Sequence, residues 1–546
     1  MNRRQFLTGF LTEEQSQNST AAPRGSSTDT SPYNGQWTKK EIAHLLRRTM
    51  YGAAYSDITY FANKTLAQTV DELLTTGTAP SPPLNYYGTD SGAALGQTWV
   101  NASLDVNANI NRGLSLLAWE AGNMVNQSKS LEEKMVIFWL NHFGTNIQEY
   151  ADARYGYKHI STIRQHCLGN FKDLVRAITI DPAMLHFLNG YKNTKAKPDE
   201  NYGRELMELF TVGKDGGQKY SEDDVKEAAR VLTGYRIVTS NATYVFDSSK
   251  HDTGTKTFSA FYSNTTISGK SGAAGEQELD ELLNMIFATQ EVALFICRRL
   301  YRYFVYYEID SAVETNVIAP MAAAFRSSGY DIKEPLRLLF NSEHFFDSYN
   351  VGAIIKPPLD LIVGVTRETK VLYPDNTDLE AQYFMWLQIA LVSGQGLQQL
   401  IFGPPNVAGW AAYHQEPNYH ELWISTVTLP LRNQITDLLI YIGLKKNGKK
   451  AVIDTADWLS QYPDADNVDL VIQQLNEHLL THPLSANNQA LLRTVMLGGQ
   501  TTSYYWTQIW LDYKNNPTDT AKKKLVTDKL QSVLKYITSL EEFQLS

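Results

Sequence analysis

The chain reads as a mainly α protein, a large multi-helical fold with a small β-hairpin insertion near residues 235–267. Three observations predict this. Apolar residues recur at helical spacing along most of the chain from Trp37 onward. Helix starts are marked by capping boxes, Thr38 with Glu41 and Ser221 with Asp224. Strand-like alternation is convincing only at 235–238 and 243–246, on either side of Ser240-Asn241.

Taken in order, residues 1–36 form an expected flexible tail rich in Ser, Thr, Gln, Asn and Gly. Helices follow from Thr38, at 55–62 and at 65–75, then a long Gly/Pro/Ser loop at 77–96. Residues 107–126 are helical, and 130–143 form a helix apolar on several faces, hence central. Helices are expected at 155–168, 171–179 and 182–188, and again from 276 to 393. A Pro/Gly/Trp-rich loop at 403–420 precedes further helices to the end. Lys445-Lys446-Asn447-Gly448-Lys449-Lys450 reads as a solvated loop between helices. No fixed-period repeat supports a solenoid. The division is therefore 1–36 as tail, 37–425 as a core carrying the polar motifs, and 426–546 as a helical portion that can belong to the same unit.

Composition bounds the function. A net charge of -9 and a pI near 5.7 argue against nucleic acid. Two cysteines, Cys167 and Cys297, make neither a disulfide framework nor a four-cysteine metal site, and whether they pair stays open. No apolar run approaches the roughly 18 residues that span a membrane. Arg3-Arg4-Gln5-Phe6-Leu7 is similar to a twin-arginine export signal, pointing to the periplasm or cell envelope. Its apolar segment is short, which leaves the cytoplasm open.

Two stretches could carry chemistry. The helix near 200–212 places Arg204, Glu205 and Glu208 on one side and ends at Gly213. Its plainest reading is an amphipathic helix with a wet face. Its sharper reading is a carboxylate pair that shares a proton or holds a divalent cation. The second stretch, His251-Asp252-Thr-Gly-Thr-Lys256, brings an imidazole, a carboxylate and an ammonium into one loop. His142, on the central helix beside Asn141, reads as a core histidine or as the floor of a cleft. Trp410, after Pro404-Pro-Asn-Val-Ala-Gly, reads as a packed corner or a pocket wall. Nucleophile elbow, Walker loop, dinucleotide fingerprint and His-Glu-x-x-His are absent.

An ordered set of segments resembles one bacterial family: Ala43-His-Leu-Leu-Arg-Arg48, Glu133-Lys-Met135 with Trp139-Leu-Asn-His-Phe143, Asn201-Tyr-Gly-Arg-Glu-Leu-Met-Glu-Leu-Phe-Thr211, His251 to Lys256, Lys356-Pro-Pro358 and Pro405-Asn-Val-Ala-Gly-Trp410. The chain resembles the "domain of unknown function 1800" family. That resemblance implies a large helical bacterial protein, often with a twin-arginine signal. It also implies a neighbouring gene for a "domain of unknown function 1501" protein as a partner. Two readings follow. In the first, Glu205, Glu208, Arg204, His251, Asp252, Lys256 and His142 surround one hydrolytic or metal-assisted site. In the second, the protein is a non-enzymatic envelope scaffold or accessory protein. The first requires the two glutamates to meet His251 around an open cavity.

Overall fold

The computed structural model describes residues 29–149 and 152–546. Arg3-Arg4 and most of the expected tail lie outside the described residues. Among the described residues, the chain from Lys39 onward is a succession of helices interrupted by three two-stranded antiparallel sheets. Both expected capping boxes form. Thr38 accepts from a first-turn N–H while Glu41 reaches back to the Thr38 N–H at 3.0 Å, opening the helix Lys39–Thr49. Ser221 and Asp224 open Glu222–Val231 in the same way.

The helix Glu132–His142 is buried along its whole length, as its all-round apolar pattern requires. Trp139 anchors it by donating from its indole N–H to the Cys167 carbonyl at 2.9 Å. Cys167 and Cys297 are both free and buried, and burial pushes both thiols up.

Apolar side chains form two large clusters. One runs from Ile42 to Ile435. The other gathers the helices beyond Leu439 together with Leu361, Val365 and Met385. The helix Pro358–Glu368 serves both. Leu359, Ile362 and Val363 enter the first cluster, while Leu361 and Val365 enter the second. A helix sandwiched this way has little room for solvent, and its Asp360 and Glu368 are buried. Both must therefore find cations.

Strand β1 (Tyr235–Val238) pairs with β2 (Thr243–Phe246), from Tyr235 opposite Phe246 to Val238 opposite Thr243. The buried Arg154 guanidinium holds the hairpin loop, donating to the carbonyls of Thr239 at 2.7 Å and Ser240 at 2.9 Å. The short β3 (Lys256–Thr257) and β4 (Thr266–Ile267) pair just beyond. The third hairpin corrects the sequence reading. Leu444–Lys446 (β5) and Lys449–Ala451 (β6) are strands, where a solvated loop was expected. Asn447 and Gly448 both take positive φ, 51° and 76°, the left-handed pair of a tight hairpin turn. The lysine content masked an Asn-Gly turn signal.

Candidate functional site

The helix that carries the carboxylates begins as α over Asn201–Glu205 and continues as a π-helix over Leu206–Thr211. The wider turn rotates the later residues away from a regular 100° step. Leu206, Met207 and Phe210 are buried, while Arg204, Glu205 and Glu208 stay partly exposed. Gly213 closes it at φ +77°, where a Cβ would lie 2.3 Å from the Phe295 ring. Glu208 pairs with Lys214 at 2.5 Å. Burial and the adjacent Glu208 raise the Glu205 carboxyl above the usual range. Arg204 hydrogen-bonds to neither. It forks onto Glu222 at 2.9 and 2.7 Å and reaches Glu200 at 3.1 Å. That fork holds the Glu222 carboxyl down to about 2.

The His251 loop makes a different group. Glu278, fully buried on the helix Gln277–Ala288, is its centre. Its Oε2 accepts from Lys256 Nζ at 2.6 Å, and its Oε1 accepts from the Lys270 backbone N–H at 2.6 Å. The same Oε1 stands 3.1 Å from His251 Nε2. His251 Nδ1 lies 2.9 Å from the Thr233 carbonyl oxygen. Asp252 receives a two-pronged Arg230 contact at 3.1 and 3.0 Å. Burial opposes ionisation of Asp252, but the bonds from Arg230 and the Gly254 N–H hold its carboxyl below the usual range. The packing is tight. A Cβ at Gly275 would come within 2.7 Å of the His251 ring.

The helix Glu222–Val231 explains why the two groups do not meet. Gly203 lets the glutamate helix close on it, since a Cβ there would stand 3.3 Å from the Val225 oxygen and the Ala229 nitrogen. On its other side Arg230 reaches Asp252, and Asp224 accepts from the Ser259 N–H and hydroxyl, both at 2.7 Å. Among the described residues no hydrogen bond or ion pair joins Glu205 or Glu208 to His251, Asp252 or Lys256. The single cleft that the sequence reading required is thus two separate clusters. Glu278, Arg230 and Thr233 were missed; the first two sit at ordinary helical positions and Thr233 in the turn after Val231, with no local motif.

His142 belongs to neither cluster. It is buried among Phe138, Trp139, Phe143 and Phe210 rings, with Nε2 donating to the Phe210 carbonyl at 3.0 Å. Burial, and then the charge of Arg299, lower its pKa well below the ordinary value. It is a core histidine that caps the glutamate helix. Asn141 does not floor a cleft either; its Oδ1 accepts from the Trp410 N–H at 2.8 Å. Trp410 is buried, a packed corner.

Among the described residues no group of three or more His, Cys, Asp or Glu side chains is placed to hold a metal ion. No described helix is long and apolar enough to cross a membrane.

A mainly helical chain with these ordered segments defines its class. The family described as "Protein of unknown function (DUF1800)" matches residues 44–545, and the chain belongs to that family. No curated protein and no solved structure matches it.

Proposed function

We propose that this protein is an accessory or scaffold protein of the bacterial cell envelope, in which the His251–Lys256 loop is a structural lock. One observation carries this reading: His251, Asp252 and Lys256 are each engaged by protein groups around the buried Glu278, with the Gly275 backbone pressed against the imidazole. A buried, mutually paired set fixes how the hairpin region docks on the helices and offers a substrate no approach. Export through the twin-arginine-like start and a partner of the "domain of unknown function 1501" family complete the proposal. The test mixes the purified full chain with the purified product of a neighbouring gene of that family and measures binding by calorimetry. A saturable complex is expected; no heat and no co-elution would remove the partner.

One observation favours a second reading, a hydrolytic site confined to the glutamate helix. Glu205 has a raised pKa beside Glu208 on a π-helical turn, a distortion common at functional sites. Turnover of model phosphate and carboxylate esters, present in wild type and lost in Glu205→Gln, would replace the accessory reading with this one.

A further inference from the structure

The helices Val106–Val125, Glu132–His142 and Ala153–His166 converge on one guanidinium. Arg164 Nη2 donates to Glu120 at 2.9 Å and to Glu133 at 3.0 Å, and its Nη1 also donates to Glu133. A third carboxylate, Glu132, keeps its Oε1 3.7 Å from Nη1, beyond hydrogen-bond reach. Its Oε2 accepts from the Gly77 N–H at 2.8 Å. All four side chains belong to buried residues.

Three carboxylates around one guanidinium do not balance. The other lysines and arginines of these helices are engaged elsewhere. Arg112 meets Asp90, Lys134 meets Asp360, Arg154 meets Asp152, and Lys158 donates to the Asn241 carbonyl at 2.8 Å. Of the histidines, His142 and His159 bond to the Phe210 carbonyl and to Asp181, and burial lowers His166. Lys129, just before the second helix, faces Asp57 at 3.7 Å. Two effects soften the surplus. Glu132 and Glu133 head their helix, whose dipole offsets about half a charge. Burial pushes Glu120 up to about 7, so it is only partly ionised at neutral pH. Burial also raises the Glu132 carboxyl, in spite of the Gly77 bond and Arg164, so those partners do not fully answer its charge.

A cleft of about 420 Å³ lies beside this surplus, within the range of roughly 300–1,000 Å³ that small-molecule sites occupy. Glu132 is the one carboxylate among the described residues that line it, and no hydrogen bond reaches its Oε1. Two rings form a wall, Trp119 and Tyr157, edge to face at 5.9 Å. Trp119 gives its indole N–H to the Ser81 carbonyl at 2.7 Å, which leaves ring surface for the cleft. That ring already supports one cation, since Arg164 lies 5.8 Å from its centre. A bare metal ion would need more oxygen ligands than Glu132 supplies. A cation with a carbon body uses both the carboxylate and the rings.

We propose that this cleft binds a small organic cation of the alkylammonium class, its charged head at Glu132 Oε1 and its carbon body against Trp119 and Tyr157. The site does not depend on the accessory-protein reading.

The test titrates the purified full chain with pentylamine and with cadaverine by calorimetry, at pH 8 and constant ionic strength. The neutral match is 1-pentanol. Saturable binding of at least one amine, and none of the alcohol, is expected. Glu132→Gln keeps an acceptor for the Gly77 N–H and deletes the charge, and should weaken binding at least tenfold, about 1.4 kcal/mol. Ser161→Phe fills the cleft without touching a charged group. It should abolish binding, and it serves if Glu132→Gln fails to fold. No saturable binding of either amine to wild type would overturn the site. So would equal binding of 1-pentanol, or an affinity unchanged in both variants.

Discussion

Around Glu278 each buried cation is hydrogen-bonded to a carboxylate; Arg48, equally buried, is bonded only to a backbone carbonyl. In the first cluster Lys256 meets Glu278, Arg230 meets Asp252, and the backbone of Gly275 leaves no room beside His251. In the second, Lys134 meets Asp360 and Arg47 faces Glu368 at 3.6 Å, while Arg48 donates to the Asn350 carbonyl and keeps two unbonded nitrogens. The contrast teaches how to read buried charge. A matched set costs desolvation and returns a fixed geometry, so it marks docking between elements. A guanidinium bonded to one carbonyl recovers less of that cost.

That contrast can be broken or sharpened experimentally. The largest effect belongs to the matched cluster. Glu278→Ala leaves Lys256 buried with only the Asp252 carboxylate, 3.7 Å away and already held by Arg230, and should cost about 3 kcal/mol in urea unfolding at pH 7. Adding Lys256→Met should recover part of that loss, because the orphaned charge is then gone.

Acid should act next, through His478. Burial holds this imidazole down to about 4, despite the opposing charge of Glu368. With an unfolded value near 6.5, the unfolded chain binds the extra proton between those limits. The stability from keeping it neutral is complete above pH 6.5 and drains away as pH falls toward 4, by roughly 3 kcal/mol. A pH series of chemical denaturation, wild type against His478→Gln, should show the shallower slope in the variant.

Arg48 should matter less than Glu278. At pH 7, Arg48→Met removes a buried guanidinium with two unbonded nitrogens and should cost no more than about 1 kcal/mol. Equal destabilisation of the Arg48 and Glu278 variants would erase the distinction between the clusters. The smallest effect belongs to the glutamate helix. Glu208→Gln breaks a partly exposed pair with Lys214 and should change unfolding free energy by less than about 1 kcal/mol.

The sequence reading went furthest where the physics is local. The capping boxes at Thr38 and Ser221, the hairpin from Tyr235 to Phe246 and the burial of the helix through His142 all depend on residues a few positions apart. It failed at Asn447-Gly448 because the flanking lysines outweighed a two-residue turn signal. It gathered Glu205, Glu208 and His251 into one cleft because their segments follow each other in order. The helix Glu222–Val231 packs between them, and order along the chain carries no information about that.

By itself, then, the sequence determined the helical class, the helix ends and the family to which the chain belongs. Those rest on periodicity, caps and short ordered segments, all readable within a few turns. Only the tertiary structure decided which charges meet. Lys134 finds Asp360 across 226 positions, and Arg48 finds the Asn350 carbonyl across 302. Whether a buried cation is matched is a property of packing between distant helices, and no local pattern encodes it.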